Sequence, residues 1–279
     1  MDVSKIFDAL NDAQREAVGA TPGPMLVLAG AGSGKTRVLT YRIAYLVQAL
    51  QASPYSILAV TFTNKAASEM RRRIEDFLGF SVRGMWIGTF HGLSHRLLRD
   101  HHELAGLPSG FEILDADDQY RVIRRALREM NLDEEHWPPR QVQWFINNQK
   151  EEGRRSAALH GTGDAHQQTL IRVYTHYEET CKRLGLVDFA ELLLSALELL
   201  EQNQSLRENY QQRFQHVLVD EFQDSNTIQY RWLKCLALAH GQIMAVGDDD
   251  QSIYGWRGAR IENMAQLQKD FAGTEVVRL

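Results

Sequence analysis

A short apolar run, Met25-Leu-Val-Leu-Ala29, leads directly into Gly30-Ala-Gly-Ser-Gly34-Lys35-Thr36 and then into a helical pattern. Glycines there let a backbone approach a phosphate without a Cβ in the way, and successive N–H groups at a helix N-terminus form an anion-binding nest. Strand, glycine loop, Lys-Thr and helix in that order predict a phosphate-binding loop. Ala29 stands where the strict pattern has its opening glycine, a small-for-small exchange. Ala31, Gly32, Ser33 and Gly34 then form the cradle, Lys35 reaches the β- and γ-phosphates, and the Thr36 hydroxyl holds Mg²⁺. In the following helix Leu39, Ile43, Leu46, Val47 and Leu50 recur on one face and predict a buried stripe.

Further short apolar runs at Ile57 to Thr61, Met85 to Thr89, Val217 to Asp220, Ile243 to Val246 and Glu275 to Leu279 read as strands. Continuous apolar strands alternating with helices predict a parallel sheet covered on both faces. From about Gly92 to Gln212 this rhythm stops, and amphipathic helices are predicted at Asp115 to Met130, Gln167 to Arg183 and Asp188 to Leu200. The expected fold class is α/β, a parallel sheet of the P-loop kind with an all-helical subdomain inserted. The 279 residues suffice for about two domains. With 44% apolar and 24% charged residues the chain is an ordinary globular one, and no apolar run approaches the roughly 18 residues of a membrane span. Two cysteines without C-x-x-C spacing argue against a disulfide framework or structural zinc and fit a reducing cytoplasm. A net charge of −5 gives no global sign of nucleic acid, so that case rests on local features.

Val217-Leu-Val-Asp220-Glu221 is a strand ending in two carboxylates, on the ligand edge of a parallel sheet. Asp220 suits a Mg²⁺ ligand, and Glu221 suits a base that orients and deprotonates an attacking water. The next strand runs into Gly247-Asp-Asp-Asp-Gln251-Ser-Ile-Tyr254-Gly-Trp256-Arg257, where Gln251 suits a γ-phosphate sensor. On spacing alone, Tyr254 and Trp256 suit anchors to the core better than platforms for stacked bases.

Taken together, Leu10-Asn-Asp-Ala-Gln14, AGAGSGKT at 29–36, VTFTNKAASEM at 60–70, GTFHG at 88–92, LVDFAELL at 186–193, VDEFQD at 219–224 and VGDDDQSIYGWRGA at 246–259 resemble the UvrD/Rep/PcrA family of superfamily-1 DNA helicases. The resemblance spans the chain. It implies a RecA-like motor subdomain (1–90 plus 213–279) with a helical subdomain (91–212) between its halves. It also implies ATP and Mg²⁺ as ligands, 3′-to-5′ translocation on single-stranded DNA, and unwinding at single-strand/duplex junctions in repair and replication. By the same resemblance Gln14 reads the adenine edge and Arg37 lies against the base or sugar. Thr61, Phe62, Thr63, Asn64, Thr89, Phe90 and His91 are then expected on the DNA strand. Tyr254 and Trp256 become base-stacking residues, and Arg257 links their loop to both sites. Gln251 and Trp256 share one short segment, so hydrolysis at one end is expected to alter stacking at the other.

The family continues past Leu279 into a second RecA-like half carrying an arginine finger, a group that contributes about 10³–10⁵ in rate. An N-terminal fragment with slow turnover is therefore expected. The competing readings are a nucleotide- and DNA-binding module without turnover, and a helicase–nuclease subunit of the same superfamily. Among weaker signals, His91 and His95 have the spacing of a zinc pair but lack a third ligand. Arg121, Arg124, Arg125 and Arg128, like Arg71-Arg72-Arg73, read either as phosphate contacts or as solvated faces. Cys181 and Cys235 read as small core residues, and Asn147 to Gly153 as a polar turn beside the DNA path.

Overall fold

Four apolar residues, Met25–Leu28, form strand β1, and every one of them is buried. The computed structural model describes residues 4–30, 32–160, 164–248 and 262–279, which fall into two compact units, 1–93 with 200–279, and 94–199.

In the first unit α1 (Ser4–Phe7) and α2 (Asp12–Gly19) precede β1 and α3 (Lys35–Gln48) follows it. Then come β2 (Ile57–Thr61), α4 (Asn64–Leu78), β3 (Trp86–Thr89) and the start of α5 (Phe90–Asp100). The second unit holds β4 (Glu112–Leu114), α6 (Ala116–Glu129), α7 (Pro139–Glu151), α8 (Ala165–Leu184), β5 (Leu186–Asp188) and most of α9 (Phe189–Gln202). The chain then returns to the first unit with α10 (Gln204–Arg213), β6 (His216–Val219), α11 (Thr227–Ala237), β7 (Ile243–Gly247), α12 (Glu262–Asp270) and β8 (Glu275–Arg278).

The six strands of the first unit pair in the order β3-β2-β6-β7-β1-β8, all parallel. Burial on both faces explains why β1, β2 and β7 are apolar without alternation. The chain leaves β1 and crosses over β7 and β6 to enter β2, so the order reverses there. Ligands of open α/β sheets generally bind beyond the carboxyl ends of the strands, here those of β1, β6 and β7. The core beneath joins Leu39, Ile43 and Leu46 of α3 to Val27, Ala59, Leu218 and Val246 of the strands. The predicted stripe runs one turn too far. Helix α3 stops at Gln48, Gln51 takes a left-handed φ of 56°, and Leu50 is exposed.

The second unit is helical as expected, with one addition. Strands β4 and β5 form a parallel pair of three residues each, register Ile113 to Val187. Glu112 and Ile113 are exposed, so neither alternation nor an apolar run announces β4. The residues read as a polar turn, Asn147 to Gly153, are instead mostly the last turns of α7, which starts with Pro139 in its first turn, where a missing N–H costs nothing. The core of this unit gathers Ile123 and Leu127 of α6, Val142 and Ile146 of α7, and Val173, Tyr174, Tyr177 and Cys181 of α8. Beneath it lies an ion network. Lys150, almost wholly buried, sits 2.6 Å from Asp188 and 2.8 Å from Glu191, and Arg155 meets Glu191 and Glu198 at 2.6 Å. No helix among the described residues is long and apolar enough to cross a membrane.

Candidate nucleotide site and nucleic-acid face

Gly34 caps α3 in a left-handed conformation, φ 91°, and Gly32 has φ 76°. A Cβ at Gly30 or Gly32 would meet nothing within 4 Å, so the loop borders open space. Ser33 folds it back on itself, donating from its backbone N–H (3.2 Å) and its hydroxyl (2.7 Å) to the Gly30 carbonyl. Helix α3 then points its N-terminal amides at that space.

Lys35, the first residue of α3, is buried and lies 3.1 Å from Glu221 Oε2 and 3.3 Å from Asp248 Oδ2. Burial pushes the Lys35 ammonium down, but the Glu221 and Asp248 carboxylates outweigh it and hold its pKa above the ordinary value. The Thr36 hydroxyl donates to Asp220 Oδ2 at 3.0 Å. Burial, with the nearby charge of Glu221, pushes the Asp220 carboxyl up to about 6 against the hydrogen bond from Thr36. Glu221 itself stands in a left-handed conformation, φ 48°, rare for a residue with a Cβ. Its Oε2 accepts from Gln223 Nε2 at 2.7 Å, and Gln223 Oε1 accepts the backbone N–H of Asp248 at 3.0 Å.

Five groups from three strand ends thus converge: Lys35 and Thr36 after β1, Asp220 and Glu221 after β6, and Asp248 after β7. The arrangement fits a magnesium–triphosphate group. The donors are cationic and amide on the loop, with a hydroxyl and a carboxylate at hydrogen-bond distance beside them. Among the described residues no group of three or more His, Cys, Asp or Glu side chains is placed to hold a metal alone.

Gln14 is the third residue of α2, and its side chain completes a capping box with Asn11. Its Nε2 also donates to the Ser33 carbonyl at 2.8 Å, so this side chain ties α2 to the phosphate loop. Arg37 is exposed beside it, donating to the Ala9 carbonyl at 3.4 Å and lying 5.9 Å from the centre of the Tyr41 ring. Asp248 and Gln223 went unnamed as site residues in the sequence. Asp248 is one of three consecutive aspartates, and only the register of β7 singles it out.

The residues expected on DNA gather at the carboxyl ends of β2 and β3. Thr61 and Phe90 are buried, Phe90 packing edge-on to Phe62 at 5.5 Å and to Trp232 at 6.0 Å. Thr63 caps α4, its hydroxyl accepting the Ala66 N–H at 3.1 Å, and Asn64 beside it is exposed. Thr89 accepts the Gly92 N–H at 3.1 Å, and burial holds the His91 imidazole below its ordinary pKa. Phe62, Thr63, Asn64, Thr89 and His91 offer surface, while Thr61 and Phe90 support them from below. Ala31, Gln251, Tyr254, Trp256 and Arg257 lie outside the described residues.

The arginine faces are partly paired with carboxylates of their own surroundings. Arg121 pairs with Asp118 (2.9 Å), Arg124 and Arg128 with Glu134 (2.9 and 3.2 Å), and Arg125 with Glu129 (2.8 Å). Arg72 and Arg73 bind Glu69, and Arg71 donates to the Ile87 carbonyl at 2.6 Å.

The UvrD/REP helicase N-terminal domain matches residues 10–272. Over all 279 residues the chain is 58% identical to DNA helicase II of Escherichia coli K12, and it is 56% identical to DNA helicase II of Haemophilus influenzae over 283 aligned positions. It is 43% identical to the ATP-dependent DNA helicase PcrA of Leuconostoc citreum, again over the whole chain. The chain spans 39% of the length of the two helicase II proteins and 38% of PcrA. A domain match over most of the chain, with these identities, shows that the chain belongs to the UvrD/REP helicase N-terminal domain family.

Proposed function

We propose that this chain is the N-terminal motor part of an ATP-dependent DNA helicase, binding Mg·ATP at the β1–α3 loop and a single DNA strand at the ends of β2 and β3. The observation that carries the reading is the convergence of Lys35, Thr36, Asp220, Glu221 and Asp248 at one edge of the parallel sheet. Lys35 leaves its carboxylates to meet the β- and γ-phosphates, while the α3 amides and Gly32 to Gly34 cradle them. Thr36 and Asp220 would hold a Mg²⁺ ion, which would supply charge neutralisation for the phosphates. Glu221, released from Lys35, takes a proton from the attacking water. Gln14 and Arg37 flank the adenosine end.

Phe62, Thr63, Asn64, Thr89 and His91 form the nearer wall of the strand path, and Tyr254, Trp256 and Arg257 extend it by family resemblance. Gln251 senses the γ-phosphate. Movement is 3′ to 5′ along single-stranded DNA, opening single-strand/duplex junctions in repair and replication. The RecA-like motor is 1–90 plus 213–279 and the helical insertion 91–212, a reading supported by the two compact units, which divide at 93/94 and 199/200 instead.

The test is ATP hydrolysis with and without single-stranded DNA, for the unmodified chain and for Glu221→Gln. Turnover that DNA stimulates and that Glu221→Gln removes, with nucleotide binding intact, supports the motor. Nucleotide-dependent DNA binding without any turnover supports a gated binding module instead. A chain whose nucleotide affinity is untouched by Lys35→Ala does not bind ATP at this loop, and the reading falls.

A further inference from the structure

Glu221 is held from two sides, and both contacts fall on Oε2: Lys35 Nζ at 3.1 Å and Gln223 Nε2 at 2.7 Å. A phosphate that draws Lys35 away removes the first of these, and the second is then what fixes the carboxylate. We propose that Gln223 is a positioning residue for the proposed hydrolysis. It aims the Glu221 carboxylate at the water and ties that carboxylate to the backbone after β7, so that the two move together. The proposal rests on the reading of Glu221 as the group that takes the water's proton.

Three observations support it. Gln223 is 3% exposed, and its amide is used at both ends, donating to Glu221 and accepting the Asp248 N–H at 3.0 Å. Its place is enforced by packing: a Cβ added at Gly247 would come within 3.0 Å of Gln223 Oε1 and 3.3 Å of its backbone nitrogen. Beyond the 249–261 segment, Asn263 of α12 donates to the Ser225 carbonyl at 2.8 Å. The turn from Glu221 to Ser225 therefore bonds to Asp248 and to Asn263, the described residues nearest that segment on its N-terminal side and close to it on the other. The left-handed backbone of Glu221 adds a reason for a brace, since such a conformation persists only where its surroundings over-determine it.

Two substitutions separate the two halves of the amide. Gln223→Met keeps length and loses both bonds, whereas Gln223→Glu keeps the acceptor for Asp248 and loses the donor to Glu221. Single-turnover ATP hydrolysis, ATPγS affinity and amide hydrogen exchange at Asp248 are measured for both, beside the unmodified chain and Lys35→Ala. Both substitutions are expected to lower the hydrolysis rate about tenfold or more; ATPγS affinity stays within about twofold in Gln223→Met, whereas the added carboxylate beside Glu221 and Lys35 weakens it severalfold in Gln223→Glu. Exchange at Asp248 is expected to speed up about tenfold in Gln223→Met and to stay near its original rate in Gln223→Glu.

A rate within about twofold of the unmodified chain in either variant, or a parallel loss of rate and affinity in Gln223→Met, overturns the positioning role. The exchange arm needs no turnover: an unchanged Asp248 amide in Gln223→Met overturns the tie to β7. Lys35→Ala binding ATPγS as the unmodified chain does is a separate failure, that of the nucleotide site itself.

Discussion

Thr36 and Asp220, 184 residues apart in sequence, are joined by a hydrogen bond of 3.0 Å between the first turn of α3 and the end of β6. The bond links the carboxyl ends of β1 and β6, which β7 separates in the sheet. A hydroxyl and a carboxylate so placed would both be available to a magnesium ion.

Asp220 is costly to the chain before any metal arrives. Its carboxyl is buried and titrates near 6 rather than the ordinary 3.8, so folding binds a proton between those values. The sign follows: below about pH 4 both states are protonated and nothing is lost, stability falls as pH rises through this window, and the full cost stands above pH 6. Asp220→Asn should therefore stabilise the metal-free chain by about 1–3 kcal/mol at pH 7.5, and the gain should vanish near pH 4. Mg·ATP should raise the melting temperature of the unmodified chain and hardly that of the variant. Thermal melts at the two pH values, with and without Mg·ATP, check this; a variant less stable at pH 7.5 contradicts it.

Glu221 competes with nucleotide for Lys35. Glu221→Gln removes a full charge 3.1 Å from the ammonium and leaves Asp248 as its acidic partner. Because Glu221 is partly exposed, solvent screens the pair, and about 1 kcal/mol is the scale of the effect. ATPγS should bind this variant severalfold more tightly than the unmodified chain, which fluorescence titration would read directly. Weaker binding would mean that Glu221 helps hold the nucleotide.

Much of this site was legible in the sequence because its parts are local. Strand β1, the glycines and Lys35-Thr36 are contiguous, and buried parallel strands announce themselves as unbroken apolar runs. Asp220 and Glu221 stood out as carboxylates at a strand end. Gln223 and Asp248 did not, since their meaning depends on pairing β6 with β7 in one register, Val219 opposite Ala245. Strands β4 and β5 were illegible for another reason: three residues with an exposed Glu112 and Ile113 carry no period. Lys150 looked like part of a polar turn, and only folding of α7 against Asp188 reveals it as a core residue.

Gly34 is a position where the backbone itself is a requirement. Its φ of 91° disfavours any residue with a Cβ, and an added Cβ would lie 2.9 Å from Gln14 Nε2. Gly34→Ala would strain the α3 cap and push Gln14 off the Ser33 carbonyl, which it binds at 2.8 Å. The expected cost is about 1–2 kcal/mol in stability, with a larger proportional loss of nucleotide affinity because the cradle and the Gln14 tie fail together. Calorimetric melts and ATPγS titration of the one variant test both halves. A normal affinity would show that the loop reshapes around nucleotide without needing this conformation.

Lys150 tests the second unit alone. Burial lowers its pKa, but Asp188 and Glu191 outweigh that and hold it well above the ordinary value, so it stays charged at every pH of interest. Lys150→Met keeps the side-chain bulk and strands Asp188, which retains the Tyr177 hydroxyl at 2.7 Å, while Glu191 keeps Arg155 at 2.6 Å. Removing one member of a buried pair costs about 3–5 kcal/mol, chiefly because the partner's charge is left without compensation. Asp188 is the more exposed to this loss, so Lys150→Met combined with Asp188→Asn should recover part of the stability. Denaturant melts of the two variants decide the point. If the double variant is no more stable than the single one, the loss comes from disrupted packing of α7 and α8, and the stranded carboxylate is not its cause.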